Sequence, residues 1–233
     1  MRVREATKNM RIREEIKKEI ESLREQLDQV NKEIEDRLSR NKLTLSGTIP
    51  VRRAVEDRPY RRTPLLFRKD TKVVQGEKTI NEQICYLIYR KSYLCQEIAD
   101  RYTVDANRCD TVSEFRSSMN LAIEFYFEAI ETLRAINRLP SNQLCIRILN
   151  AYRGMINSCD DSETDLRNVC IEELLIFINE YQLPDRFTQD AAELEVLQNC
   201  LSLAISKFAA PSKGIETPTE TDTMELDTPA PRM

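Results

Sequence analysis

The sequence predicts an all-α protein, and two observations carry that prediction. The 233-residue chain has only 4 glycines and no tryptophan, and residues that favour helices, such as leucine, isoleucine, glutamate, arginine and lysine, are abundant. Apolar residues also recur at helical spacing in several stretches, which short turn sequences divide. Short loops between successive helices imply antiparallel neighbours. We therefore expect an antiparallel helical array followed by a disordered acidic C-terminal tail.

The first predicted element is a charged amphipathic helix within residues 1–40, clearest over residues 8–38. Its apolar residues recur at spacings of four and three, which places them in one stripe. The stripe is typical of a short coiled coil or of an edge helix packed on a partner, and its length of under three heptads favours the second. This segment is therefore a candidate dimerisation surface. The stripe consists of Ile16, Ile20, Leu23, Leu27, Val30 and Ile34.

Residues 41–80 interrupt the helical pattern. Gly47, Pro50, Pro59 and Pro64 lie in this segment, and a proline inside a helix removes a hydrogen bond and clashes with the preceding turn. Two interpretations of its basic character stay open: an anion-binding or targeting segment, or a solvated loop without a specific ligand. The basic residues are Arg52, Arg53, Arg58, Arg61, Arg62, Arg68 and Lys69.

Helical periodicity resumes over residues 81–208, which we predict to be the main domain. Ser141 or Asn142 can cap the helix that follows the Leu139-Pro140 turn. The Leu183-Pro184-Asp185 sequence predicts a loop before the last helix. Residues 209–233 are too poor in apolar side chains to offset the entropy of ordering, so we expect disorder there. The predicted helices span residues 81–102, 114–138, 142–157, 164–182 and 187–207.

Composition argues against several classes of function. The chain has no histidine, which removes the commonest general base and most zinc sites, and no Gly-rich phosphate loop or nucleophile motif is present. We predict no catalytic residues, no metal site and no cofactor, and hence no enzyme. The 7 cysteines show no Cys-x-x-Cys spacing, and we expect them to be reduced core residues. With no membrane-spanning run and no apolar signal core, we predict a cytoplasmic or nuclear location.

The C-terminal helices resemble the 14-3-3 family of phosphopeptide-binding proteins. Residues 126–131 are similar to the family's Tyr-x-Glu-Ala-Phe-Glu stretch, and an ungapped count leads to Leu149-Asn150, where the family has Leu-Asn. Residues 170–175 look like its Ala-Phe-Asp-Glu-Ala-Ile sequence. Residues 187–206 align with its last-helix signature without a gap. The spacing of these matches over about eighty residues identifies the chain as similar to a truncated, divergent member of this family.

The resemblance implies a signalling adaptor that binds phosphoserine or phosphothreonine segments of other proteins. In the family, two arginines, a lysine and a tyrosine hold the phosphate, two asparagines hold the peptide backbone, and a leucine wall holds its side chains. A guanidinium meets phosphate in bidentate fashion, and an amide side chain can both donate to and accept from an extended peptide. The expected partners are phosphorylated proteins and, through the N-terminal helices, a second copy or a related chain in a dimer. Neither a membrane nor nucleic acid is an expected partner.

The family's phosphate-binding pair is best matched by Arg101-Tyr102, which requires a one-residue deletion, whereas a second register places Cys95-Gln96 there. Its early Arg-Arg pair corresponds to Arg52-Arg53, with Thr48 in place of the phosphate lysine. The predicted phosphate ligands are therefore incomplete, and a degraded phosphate site is expected.

Asn150 matches the first of the two backbone-holding asparagines, and Cys200 replaces the second. A thiol cannot donate and accept as an amide does, so we expect that clamp to be weakened. Leu149, Leu201 and Leu203 are the candidates for the apolar wall of the peptide site.

Two other functions stay open. A helical scaffold or assembly protein could retain the architecture without phosphate recognition and act through the stripe of residues 16–34. A nucleic-acid-associated protein is supported only by the basic charge between Arg52 and Lys69. The family's long helix could also be residues 8–38, with its first helices absent, and the sequence does not choose between that alignment and the one given above.

Overall fold

The computed structural model describes residues 2–40 and 82–208, and every regular element in those ranges is a helix. The all-α prediction is confirmed. The basic segment 41–80, including Arg52 and Arg53, and the tail 209–233 lie outside the described residues. The helices are α1 (Arg2–Arg40), α2 (Glu82–Ala106), α3 (Val112–Arg134), α4 (Asn142–Ser158), α5 (Thr164–Glu180), α6 (Leu183–Arg186) and α7 (Ala191–Phe208).

The apolar stripe of α1 packs on α2 within the same chain. Ile16, Ile20, Leu27, Val30 and Ile34 are buried, and Leu23 is partly buried against the same core. The edge-helix interpretation of the stripe therefore describes the structure, and its partner is α2. Dimerisation through residues 1–40 stays a prediction, and it would have to use a face of α1 other than the stripe.

Helices α2 and α3 form the most extensive helix pair and supply the centre of the core. The pair can pack closely because small residues meet at the contact, where the Ser92 hydroxyl donates to the Ala129 carbonyl at 3.1 Å. Thr111 caps α3 by accepting a hydrogen bond from the Glu114 amide at 3.2 Å.

Helix α4 packs against α3, α5 and α7, so it connects the two halves of the helical array. It begins at Asn142, and the Ser141 hydroxyl accepts a hydrogen bond from the Leu144 amide at 3.2 Å. The predicted cap at this turn is confirmed. Tyr152, Ile148 and Leu149 are fully buried, which fixes the opposite face of α4 toward the outside.

The prediction of a loop at residues 183–185 was wrong, because α6 occupies this position. Gln182 has φ 49°, so the chain turns through the left-handed region before α6, and Pro184 lies in the first turn, where a helix tolerates proline. The last helix consequently begins at Ala191 and not at residue 187. The Asp190 carboxylate accepts from the Ala192 amide at 2.9 Å at the new helix start.

The seven cysteines carry no disulfide, and five of them are buried. Burial raises the pKa of the Cys145 and Cys200 thiols to about 11. The prediction that most cysteines are small core residues is consistent with this placement. None of the described helices has both the length and the apolar character that a bilayer crossing requires.

Candidate ligand-binding groove

An open cavity of about 560 Å³ lies between α2 and α4, with α3 beneath it. We call it the α2–α4 groove. A second cavity of about 430 Å³ adjoins it, because Val104 and Asn107 line both. The groove is lined by Asp100, Thr103, Val104, Asn107, Phe115, Met119, Tyr126, Arg147, Asn150, Ala151, Arg153, Gly154 and Asn157.

A network centred on Asp100 forms one part of the groove. The Asp100 carboxylate accepts a hydrogen bond from the Tyr126 hydroxyl at 2.6 Å and another from the Arg147 guanidinium at 2.6 Å. Burial and the bond to Asp100 raise the pKa of Tyr126, so this phenol is a hydrogen-bond donor at neutral pH. The network fixes the Arg147 side chain, one third of which is exposed, at the wall of the groove.

Helix α4 presents a polar stripe to the groove. Arg147, Asn150, Gly154 and Asn157 are separated by three, four and three residues, the spacing that keeps side chains on one helix face. Arg153 lies at the edge of this stripe. Asn150 and Asn157 are exposed, so their amides are accessible to a ligand.

Gly154 brings α4 close to the start of α3. A Cβ at this position would lie 3.4 Å from Phe115 Cζ and 3.6 Å from Met119 Cε, which is the limit of ordinary van der Waals contact. Any side chain larger than alanine would therefore displace these two residues or fill the groove.

The charges of the groove favour an anionic ligand. Asp100 is neutralised by Arg147, and Arg153 forms no ion pair with any residue that the structure describes. The lining therefore has one formal positive charge in excess, beside amides that can both donate and accept. An extended segment with a carboxylate or phosphate fits this chemistry better than a neutral or cationic one.

The structure places the predicted Arg101-Tyr102 pair beside α1. Arg101 Nε lies 3.0 Å from a carboxylate oxygen of Glu19. The Tyr102 hydroxyl lies 2.5 Å from Arg24 Nη2, and its ring stacks on Phe125 with the centroids 5.9 Å apart. Neither residue lines the α2–α4 groove, so the structure does not bring them together with Asn150. Within one turn of α2, Arg101 and Tyr102 therefore face α1, whereas Asp100 faces α4.

The predicted apolar wall is divided between the core and the surface. Leu149 is fully buried, and its carbonyl lies 3.6 Å from the Cys200 sulfur. Leu201 and Leu203 are partly buried against the core. None of these three leucines lines the groove beside Asn150. Asn150 is therefore the one predicted site residue that lies in it, since Arg52 and Arg53 are outside the described residues.

The sequence analysis missed Arg147 and Arg153, although a signal for them exists. Both lie within four residues of Asn150 on the same helix, and the fully buried Ile148 and Leu149 mark the opposite face. A helical projection around Asn150 would have placed them on the ligand side. Asp100 and Tyr126 carry no such signal, because their partnership joins α2 to α3 across 26 residues.

Among residues 2–40 and 82–208, no group of acidic or cysteine side chains has the arrangement of a metal site. Comparison with known proteins adds no relative: no family model, curated protein or solved structure matches the chain.

Proposed function

We propose that this protein is a signalling adaptor that binds phosphoserine- or phosphothreonine-containing segments of other proteins in the α2–α4 groove. The observation that carries the proposal is the placement of Arg147 and Arg153 on either side of Asn150 along one groove wall. The guanidiniums supply charge-assisted donors for a phosphate, and the amide can hold the backbone of an extended peptide. Arg147 and Arg153 thus take the role that the family resemblance gives to Arg101-Tyr102.

The bonding of the two arginines separates their roles. Arg147 is held by Asp100, so it offers a fixed donor whose charge is already partly compensated. Arg153 has no carboxylate partner among the described residues and carries the uncompensated charge. We expect Arg153 to contribute more to phosphate affinity and Asn150 to contribute to peptide affinity with or without phosphate.

The test measures binding of a degenerate phosphoserine/phosphothreonine peptide library and of its unphosphorylated counterpart to the full chain. The proposal expects a preference for the phosphorylated library that Arg153→Ala reduces by about ten- to 100-fold, the range for a lost charge-assisted hydrogen bond. Arg138→Ala is the matched control, because Arg138 is exposed in the α3–α4 loop and does not line the groove. Equal affinity for the two libraries would overturn the proposal.

A helical scaffold without phosphate recognition is the second candidate, and the bonding of Arg101 and Tyr102 to α1 favours it. These side chains hold the helical array together through Glu19 and Arg24. A scaffold would bind partners equally with and without phosphate and would not respond to Arg153→Ala. Substitution of Leu27 by Asp would not test assembly, because Leu27 is buried within the chain and a charge there would unfold α1. Light scattering of the unaltered protein over a range of concentrations measures assembly directly.

A further inference from the structure

Three tyrosines form an exposed face on the N-terminal half of α2. Tyr86, Tyr89 and Tyr93 are 65%, 45% and 60% exposed. Their spacing of three and four residues places the rings on one side of the helix. We call these three residues the tyrosine face. Large aromatic side chains usually bury their rings, so three accessible rings on one helix face indicate a binding surface.

The tyrosine face is continuous with the α2–α4 groove. At 100° per residue, the tyrosines lie within about 60° of the groove-lining Asp100 and Val104 around the axis of α2. Glu97 lies between the two parts, and its negative charge, together with its hydrogen bonding to the Tyr93 hydroxyl, raises the pKa of Tyr93. One extended segment in the groove can therefore continue along α2 over the rings.

The chemistry of the face favours a cation. Aromatic rings attract lysine and arginine through their negative faces, and the carboxylates of Glu82 and Glu97 lie at the two ends of the face. Arg90 is the one cation exposed between them, so the face has one excess negative charge against the excess positive charge of the groove. A peptide segment with an anionic group at one position and a basic residue at another therefore complements both the groove and the tyrosine face.

We propose that the tyrosine face binds a lysine or arginine side chain of the same segment whose phosphate lies in the groove; this inference rests on the proposed function. The distance along α2 between the groove and the tyrosine face determines how many peptide residues separate the phosphate from the basic residue. The part of α2 that lines the groove, from Asp100 to Val104, lies 11 to 15 residues along the helix from Tyr89, which is about 16–22 Å. An extended chain covers that length in about six residues. The basic residue is therefore expected about six positions from the phosphorylated residue.

The experiment uses peptides with one phosphoserine and a single arginine at each position from one to nine residues before or after it, in a neutral background. The full chain should bind the peptides with arginine about six residues away two- to fivefold more tightly than the peptides with citrulline there, the range for one exposed cation–π contact. Substitution of Tyr86, Tyr89 and Tyr93 by serine should abolish that difference. Serine and tyrosine have similar helix propensity, so these exposed changes leave α2 folded.

Two further variants separate the outcomes. Substitution of the three tyrosines by phenylalanine keeps the rings and should restore the preference for arginine. Val169→Ser changes an exposed apolar residue of α5 outside the face and should leave it unaltered. An arginine preference that persists in the serine variant, or its absence at every spacing, would overturn the inference.

The same peptides without phosphate distinguish this inference from the proposed function. If phosphate adds nothing but the arginine preference still depends on the tyrosines, the phosphate proposal fails while the tyrosine face stands as a cation site. If phosphate adds affinity but no arginine preference is seen, the groove stands and the tyrosine face does not bind the ligand.

Discussion

Two carboxylates of α2, Asp105 and Asp100, have the same kind of partners and differ in burial. Asp105 accepts from Arg13 Nε at 3.0 Å and from the Ser118 hydroxyl at 2.7 Å, and it is almost completely buried beneath α1. Asp100 accepts from Arg147 and from the Tyr126 hydroxyl, both at 2.6 Å, with one third of its side chain exposed. Each joins an arginine of one helix to a hydroxyl of another.

The difference in burial separates a structural cluster from an accessible one. A buried charge that loses its partner has no water to replace it, so the bonds of Asp105 add strongly to the apolar packing that holds α1 on the array. Water can replace a lost partner of Asp100, so that cluster contributes less to stability and its arginine remains available to a ligand. The same constellation therefore stabilises the fold on one side of α2 and lines the groove on the other.

The largest expected effect follows from Asp105→Ala. Among the described residues, the change leaves the Arg13 guanidinium, which is 17% exposed, with one carboxylate partner, the partly exposed Glu114 at 3.1 Å. We expect the free energy of unfolding to fall by about 3–5 kcal/mol, as for other broken buried ion pairs. Urea denaturation checks this. Asp100→Ala is the matched control and should cost about 1 kcal/mol; an equal loss in both variants would contradict the comparison.

Ser118→Ala should have the next largest effect. Ser118 is buried, and its hydroxyl is one of the two donors to Asp105. A hydrogen bond to a charged group contributes about 1.5–3 kcal/mol, so the free energy of unfolding should fall by that amount. Ser117→Ala, one residue away at an exposed position, is the control and should stay within about 0.5 kcal/mol of the unaltered protein in the same urea titration.

Tyr126→Phe tests the accessible cluster. The ring of Tyr126 is buried and is retained, while Asp100 loses one donor and gains water in its place. We expect a loss of about 0.5–1.5 kcal/mol in the free energy of unfolding. Because Tyr126 also fixes Asp100 and through it Arg147, affinity for phosphorylated peptides should change as well, which calorimetry can measure. A loss as large as that of Asp105→Ala would show that Asp100 is not rehydrated.

The sequence predicted the helices better than the site, for a physical reason. Helix boundaries depend on local signals, such as the Ser141 cap and the stripe from Ile16 to Ile34, and these lie within a few residues of the structure they determine. The Asp105–Arg13 pair joins residues 92 positions apart, and Asp100–Arg147 joins residues 47 apart. No local pattern encodes such partnerships.

The placement of Arg101 shows the same limit. A sequence motif identifies a residue type and a helix, but one position along a helix rotates a side chain by 100°. Asp100 faces the groove, whereas Arg101 pairs with Glu19 of α1. Asn150 could be placed from the Leu-Asn spacing because its neighbour Leu149 has to be buried. The sequence analysis missed α6 because a proline indicates the end of a helix unless it is known to lie in a helix's first turn, as Pro184 does.

The smallest expected effect concerns a third carboxylate, Glu163, in the loop between α4 and α5. The Arg116 guanidinium donates bidentate hydrogen bonds to the Glu163 carboxylate, with Nη1 to Oε1 at 2.6 Å, and the Asp160 amide donates another at 3.1 Å. These bonds lower the pKa of Glu163 from 4.5 to about 2. A depressed pKa in the folded state means that the contribution to stability is present above pH 4.5 and is lost as the pH falls toward 2. One third of the Glu163 side chain is exposed, so solvent screens the pair and the contribution is small.

Glu163→Gln should therefore flatten the fall in stability of the protein between pH 4.5 and pH 2 and leave the shape of the curve above pH 5 unchanged. Glu195→Gln, at an exposed position of α7, is the control and should keep the slope of the unaltered protein. Thermal unfolding at half-unit pH steps measures both. If Glu163→Gln retains the acid slope, the loss of stability at low pH arises from other carboxylates and not from the Arg116–Glu163 pair.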